Sequence, residues 1–546
     1  MAKQEFSIPA GIVLDDTDLE IGSGAWSDCD KVRFWRGQGQ VIGGWERFNE
    51  GVLDGYCRFI YPWTNNDEQL LVGFGTNTSL YVTYGGGLYD ITPTTFVPGN
   101  INGLGGAGYG TGAYGAGNYG EPTTEDTFAL TWCMANYGES LMANPRGQTI
   151  FWWQNNTGTP AAPLTNAPEK VTYMLVANTR QVMAFGCNEE VSGDFNSMAI
   201  RYSDIEDPED WTTLPSNNAG EFILEGGSRI VAARLIGDYI FIWTDTSLFL
   251  GSFTGDTAQP WTFEKQADHC GLMGPNAAVV VNQQAYWLTG DVQFFTCTLG
   301  GAPQIIVSPI QAEMKNNIAI IQHDKVVASS LSTFGEVRFD YPDQRDDDGG
   351  IKYLFLVEEE ASDSDYLAVD ESPDSDYLAV SIKQEAGVEC SRYFAMSTLD
   401  GAWSKGVMSR TYYVDAGPQQ YPLATTPSGV IYYHERGNSA DGAAFSWYLE
   451  SADQYLGDAA SPMMMVRGMY PDFKDQQGPV SIQMVMKNYP QANEYTKGPY
   501  ALEPNRNQRT FQATGRVIRL KISGNSSPTF MRMGRLIFDI LPTGLQ

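Results

Sequence analysis

The chain has 546 residues, with 65 acidic against 34 basic side chains and a formal charge of −31. Such a surface repels phosphate backbones and anionic membranes, which excludes tight electrostatic binding of nucleic acid but not a wall past which DNA slides. The chain is 42% hydrophobic and 12% aromatic, enough for a large core, yet no apolar run nears the ~20 residues of a membrane-spanning helix.

The start, Met1-Ala-Lys-Gln-Glu-Phe6, lacks the apolar region of a signal peptide, so synthesis in a cytoplasm is expected. Seven cysteines (29, 57, 133, 187, 270, 297 and 390) are widely spaced with no Cys-x-x-Cys pair, so reduced, buried thiols are expected rather than a zinc or disulfide framework. The first fifty residues alternate strand and turn. Lys31, Arg33 and Arg36 form a basic cluster within Lys31-Val-Arg-Phe-Trp-Arg36, readable as a phosphate contact or as the ordinary charge of a half-exposed strand.

Residues 70–82 then give an apolar run, a Thr-containing turn and a second run, Leu80-Tyr-Val82. Residues 103–120 hold Gly at every second or third position with tyrosines between, including formal matches to Gly-x-Gly-x-x-Gly. A dinucleotide site needs that motif between a strand and a helix, and here Pro122 and an acidic run follow, so no cofactor is expected. A loop presenting Tyr109, Tyr114 and Tyr119 to a partner or a lumen is the better reading, since Gly frees the backbone and Tyr supplies contact area.

The 70–82 pattern returns at 236–250, where Tyr239-Ile-Phe-Ile-Trp243 meets Thr244-Asp-Thr246 and then Leu248-Phe-Leu250, and again at 285–295. Weaker versions lie at 141–153, 174–185, 392–403 and 430–433. Self-similar hairpins about 40–50 residues apart predict an all-β chain built as a β-propeller of about six blades over residues 1–445, with the 239–243 run buried between blades. Between the repeats, Asp207-Pro-Glu-Asp210 predicts a short helical turn ending at Trp211. Ser308-Pro-Ile-Gln311 has capping-box spacing and predicts a helix through about Lys315.

Residues 340–389 shift to acidic composition. Asp346, Asp347 and Asp348 precede Glu358, Glu359 and Glu360, and the heptapeptide Asp363-Ser-Asp-Tyr-Leu-Ala-Val369 is repeated at 374–380. The copies predict two short strands joined by 370–374, with Asp363, Asp365, Asp374 and Asp376 displayed. Calcium would need the spaced third ligand, central Gly and closing Glu of a binding loop, and these are missing, so a solvated acidic insertion is expected. Residues 446–546 alternate as strands with one basic face and predict a separate β-rich domain packing on or closing the propeller. No nucleophile elbow, zinc-protease helix or phosphate loop occurs, and the three histidines are far apart, so neither enzyme chemistry nor a metal is expected.

Several stretches taken together resemble a family: Trp26-Ser-Asp-Cys-Asp-Lys-Val-Arg-Phe34, Ile42-Gly-Gly-Trp45, the Gly/Tyr loop, Arg201-Tyr-Ser-Asp204 with Trp211, Cys270-Gly-Leu-Met-Gly-Pro275, and Arg532 to Arg535 with Asp539-Ile540. In this order they resemble the nozzle, tail tube B or packaged-DNA stabilisation proteins of short-tailed phages. The acidic duplication departs from that pattern. The resemblance implies a virion structural protein that assembles, typically as a homohexamer, at the distal end of the tail. There it would contact a tail adaptor (tail tube A-type) protein and a fibre or spike, retain packaged double-stranded DNA and provide its ejection channel. The competing reading is a receptor-binding propeller that binds or cleaves glycans.

Overall fold

The hairpin repeat becomes seven four-stranded antiparallel sheets in a computed structural model that describes residues 2–21, 24–103, 128–257, 259–346, 351–358, 378–385, 389–456, 463–506 and 508–544. Blade 1 comprises Cys57–Thr64, Leu70–Thr76, Leu80–Tyr84 and Gly87–Asp90, and blades 2 to 5 begin at Trp132–Tyr137, Val171–Val176, Ile230–Ile236 and Ala278–Val281. Blade 6 is Val327–Leu331, Glu336–Pro342, Cys390–Ser397 and Trp403–Val407. Blade 7 takes Tyr412–Val414, Leu423–Thr425 and Val430–His434, then borrows Trp45–Val52 as its fourth strand. The first strand of each blade touches that of the next, and blade 7 touches blade 1, so the sheets close a ring. The ring therefore holds seven blades where the repeat predicts about six. The repeat at 430–433 marks blade 7, but its hairpins are short and its last strand lies near the start of the chain, so the repeat undercounts by one.

The Thr of the repeat has a physical role. At the turn after the second strand, its hydroxyl accepts a backbone N–H: Ser79 to Thr76 at 2.9 Å in blade 1, Ser247 to Thr244 at 2.8 Å in blade 4, and Gln293 to Thr289 at 3.1 Å in blade 5. Between these turns the second strands are apolar on both sides, because each faces two neighbouring blades. Trp243 of blade 4 meets Trp287 of blade 5 edge to face at 5.6 Å, and both are fully buried. Ile240, Phe241, Ile242 and Trp243 are buried as predicted, but Tyr239 is 39% exposed because it borders the hairpin turn. All seven cysteines are buried and free, and burial pushes the Cys57 thiol up to about 11.

Apart from the two-stranded pair Ile351–Glu358 and Leu378–Glu385, the remaining strands form two six-stranded sheets whose inward faces share the main hydrophobic cluster. One runs Val32–Trp35, Gln38–Val41, Phe530–Gly544, Met463–Gln477 and Arg509–Gly515, with Ala2–Phe6 paired to Phe530–Gly544. The other runs Trp26–Asp30, Phe445–Ser451, Val517–Ser526, Val480–Lys487 and Tyr495–Leu502, with Gln454–Tyr455 paired to Val517–Ser526. This sandwich corrects the predicted boundaries. It is not 446–546 alone, since strands from the first 41 residues belong to it and only from Trp45 does the chain enter the ring. The physical reason is edge protection: Trp26–Asp30 covers Phe445–Ser451 and Gln38–Val41 covers Phe530–Gly544, edges the C-terminal strands would otherwise leave open. On the basic face predicted for 446–546, Lys521 pairs with Glu450 at 2.8 Å and Arg519 with Glu494 at 2.9 Å.

The sandwich rests on the outer strand of blade 6, with the amide of Ile12 donating to the Trp403 carbonyl at 3.0 Å and that of Lys31 to Lys405 at 3.2 Å. Arg33 secures this junction. Its guanidinium holds Glu435 of the blade 7 exit through two bonds of 2.9 and 2.6 Å, lies 3.3 Å from Glu336 of blade 6, and covers the Phe334 ring at 3.8 Å. Burial pushes the Glu336 carboxyl up to about 6, with Arg33 pulling it down and Glu435 pushing it further up. Arg33 is thus neither a phosphate contact nor a half-exposed charge. Lys31 is also buried, on Asp30 at 2.8 Å, and only Arg36 of the predicted basic cluster is exposed.

Both predicted helices change. Asp207 does not start a helix: its carboxylate accepts the Glu209 amide at 3.0 Å in a local turn, and Trp211 donates to the Pro208 carbonyl at 2.7 Å. Such side-chain-to-backbone bonds compete with helix formation. The second helix forms over Gln311–Asn317, after Ile310 rather than Ser308, and has no side-chain cap.

Phe241 is 2% exposed and packs edge to face on Trp243 at 5.8 Å. Phe241→Asp would bury an unpaired carboxylate between two blades, so the variant should be recovered only as insoluble chain. Soluble variant with native near-ultraviolet dichroism would contradict this packing.

Candidate functional site

The polar residues that sequence patterning does not group are brought together at one end of the propeller axis. The first strands start at this end, and the 3-10 helix Ile320–Lys325, leading into blade 6, lies across it. Arg58, second residue of blade 1, grips Glu389 through bonds of 2.6 and 2.8 Å, and Lys325 reaches the same carboxylate at 2.8 Å. From blade 2, Arg146 crosses to Asp324 at 3.0 Å, while Asn276, before blade 5, donates to the Arg58 carbonyl at 3.2 Å. These bonds join blades that are not neighbours, so they span the axis. Farther along it, Arg234 of blade 4 hydrogen-bonds the Tyr173 hydroxyl of blade 3 and, at 2.9 Å, the Pro275 carbonyl. Tyr412 packs on Phe59 at 5.1 Å. The channel is plugged here.

The plug anchors the stems of both long loops. Before the Gly/Tyr segment, Asn102 accepts from Lys325 at 2.5 Å, and Gly103 and Gln322 exchange two bonds of 3.0 Å. At the acidic insertion, Glu389 is the return stem and Asp346 the exit stem. Asp346 accepts two bonds from Arg392, at 2.7 and 2.8 Å, and one from Ser391 at 2.7 Å. Buried Asp343 braces the exit, taking Arg345 at 2.7 Å and Arg392 at 3.4 Å. Of the predicted loop residues, Asp346 is therefore a structural anchor rather than a displayed charge. Glu358 ends the strand Ile351–Glu358, which pairs with Leu378–Glu385. The predicted strand 363–369 lies outside the described residues, and of the second copy only 378–380 is described, at the start of Leu378–Glu385. Tyr109, Tyr114, Tyr119, Asp347, Asp348, Glu359, Glu360, Asp363, Asp365, Asp374 and Asp376 lie outside the described residues.

The electrostatics of the plug are those of one carboxylate shared by two cations. Burial raises the Glu389 carboxyl, but Arg58 and Lys325 outweigh it and hold the group below its usual value. Lys325 is pushed down to about 8, by burial first and by Arg58 second. Asp324 is also lowered, Arg146 and His323 overcoming its burial. The motif Cys270-Gly-Leu-Met-Gly-Pro275 runs beneath the plug. A Cβ on Gly271 would lie 2.1 Å from the Asp245 carbonyl oxygen and one on Gly274 2.6 Å from that of His323, so both positions need glycine. Among the described residues no group of three or more His, Cys, Asp or Glu side chains is placed to hold a metal.

No family model matches the chain, and no curated protein matches it in sequence. Solved structures do match. The computationally designed protein Ika8 has 12% identity over 78% of this chain and 99% of its own, with a TM-score of 0.36. PorZ, a bacterial surface component of the type-IX secretion system of Porphyromonas gingivalis, has 10% identity over 79% of this chain and 45% of its own, also at 0.36. BamB from Moraxella catarrhalis has 12% identity over 57% of this chain and 84% of its own, at 0.28. The propeller assignment itself rests on the seven sheets and their closed ring.

A cavity lies toward the opposite end of the first strands. The far ends of the first strands of blades 1 to 4 enclose a cavity of about 510 Å³ with Tyr61, Asn136, Tyr137, Leu175, Arg180 and Leu235 in its wall. The propeller thus carries the loop stems at one end and a cavity toward the other.

Glu389→Gln should cost about 3–5 kcal/mol in chemical denaturation, because it leaves Arg58 and Lys325 buried around a neutral amide. Since its folded-state value is lowered, Glu389 adds stability that is complete above the unfolded value of about 4.3 and lost as pH falls through the folded one. Wild-type stability should therefore fall more steeply than that of Glu389→Gln on acidification below about pH 4. Parallel pH profiles would contradict the shared-carboxylate arrangement.

Proposed function

We propose that this chain is the subunit of the distal nozzle of a short phage tail, a virion structural protein rather than an enzyme. In this reading six copies form a ring, bind an adaptor above and a fibre or spike beside it, and hold packaged DNA until ejection. The reading rests on the ordered motifs from Trp26 to Ile540, and one structural observation supports it most: both long loops are rooted on the same plugged face of the propeller. Loops rooted on a rigid, ion-paired platform suit a gate or a docking collar, because the platform fixes where they emerge.

Within this reading, the plug bears on the route. Bonds across the axis leave no path through an individual propeller, so DNA would pass between copies, through the centre of the ring. A wall from a chain of charge −31 repels the phosphate backbone, so retention would come from steric closure by loops while the wall stays non-adhesive. The glycan-binding reading draws on the aromatic and amide-lined cavity of about 510 Å³ at the other end of the axis, since such surfaces offer stacking and neutral hydrogen bonds.

Negative-stain imaging of the purified chain, alone and with its adaptor, should give six-fold rings with a central hole. Replacing 347–388 by a short Gly-Ser linker keeps Asp346 and Glu389, and should leave the propeller folded while particles carrying it lose packaged DNA. Monomers that bind glycan, with particles unaffected by the replacement, would overturn the nozzle reading.

A further inference from the structure

The sandwich contains a slot that no described residue fills. It lies between the two sheets, has a volume of about 270 Å³, and is lined by apolar side chains such as Trp26, Leu520 and Phe538 together with polar ones such as Ser7, Gln38 and Arg535. Protein interiors are packed to near crystal density, and an apolar void forfeits the contacts its walls could make. The volume falls just below the about 300–1,000 Å³ of drug- and cofactor-sized sites, so the slot suits one bulky side chain.

The rim of the slot is cationic in an otherwise acidic protein. Arg36, in the turn between Val32–Trp35 and Gln38–Val41, is exposed, stacks over Trp35 at 4.4 Å, and has no carboxylate partner among the described residues. Arg532 covers the same ring at 4.8 Å and donates to Gln40 at 3.0 Å. Arg535 lines the slot, is 70% exposed, and pairs with Glu5 at 2.6 Å, an exposed contact that an incoming carboxylate can share. Glu5 and Asp472, whose carboxylate accepts the Arg535 amide at 3.4 Å, are the acidic groups on these partners. The fold therefore unites two basic motifs from distant parts of the chain beside this partly apolar slot. Arginines stacked on an aromatic ring are preorganised to take carboxylates by paired N–H donors.

We infer that this slot is a docking site for an acidic polypeptide segment of a partner protein, which inserts one aromatic or large aliphatic side chain while flanking carboxylates bind Arg36 and Arg535. An apolar anchor in a pocket within a charged rim is the arrangement that concentrates binding energy at protein interfaces. This inference does not depend on the nozzle reading.

The test is fluorescence anisotropy of the full chain with labelled acidic heptapeptides, Asp-Glu-Asp-X-Leu-Glu-Asp, in which X is Trp, Phe, Leu or Ala. The Trp and Phe peptides should bind saturably, and the Ala peptide about tenfold more weakly or less. Arg36→Glu combined with Arg535→Glu should weaken the Trp peptide at least about tenfold, and Ser7→Trp, which fills the slot from its rim, should do so without changing charge. Arg180→Glu, on the propeller, should change nothing. Equal binding of the Trp and Ala peptides, indifference to Ser7→Trp in a variant that melts like wild type, or no saturation by any peptide would overturn the inference.

Discussion

The structure depends on one strand pairing made near the start of the chain. Trp45–Val52 lies against Val430–His434, with Glu46 opposite Tyr433 and Trp45 opposite His434, and completes blade 7. Each blade is a sheet that buries its faces on its neighbours, so a ring missing one strand exposes an edge and loosens the two adjoining blades. Closing the ring with an early segment also decides the rest of the architecture. Whatever precedes Trp45 must leave the ring, and it does so by supplying edge strands to the sandwich that the last hundred residues build.

The same closure explains why so many charges are buried. Arg33 sits where sandwich, blade 6 and blade 7 meet, and Glu435, just past the last native strand of blade 7, can reach it only because the ring is shut. At the axis, Arg58, Lys325 and Glu389 form a second buried group joining blade 1 to blade 6. Buried ion pairs contribute little net stability over apolar packing, but removing one partner costs several kcal/mol, about 3–5. Their effect is therefore specificity of arrangement. They fix which blade ends meet and from where the two inserted segments leave.

Much of the ring was legible in the sequence because its signals are local. Apolar runs such as Tyr239-Ile-Phe-Ile-Trp243 and the Thr at the following turn are physical requirements of a strand between two blades and of the turn that ends it. The closing strand was not legible: Trp45-Glu-Arg-Phe-Asn-Glu-Gly-Val52 is half polar, as an outermost strand can be, and its partner is distant in sequence. The plug was invisible for a similar reason, since Arg58 and Glu389 lie 331 positions apart. Arg58 in the strand Cys57-Arg-Phe-Ile-Tyr61 was the one available hint, an arginine inside an apolar run that needs a buried partner. Acidic composition pointed to the insertion as a unit, but not to Asp346 as its anchor, because a carboxylate facing arginines reads in sequence like one facing water.

Hydrogen–deuterium exchange along Trp45–Val52 tests the closure most directly. Amides in this strand that bond into blade 7 should be protected to the same extent as those of Val430–His434, opening only with the whole ring. Rapid exchange in Trp45–Val52 while the other six blades stay protected would show that this strand does not complete blade 7, and would contradict the account.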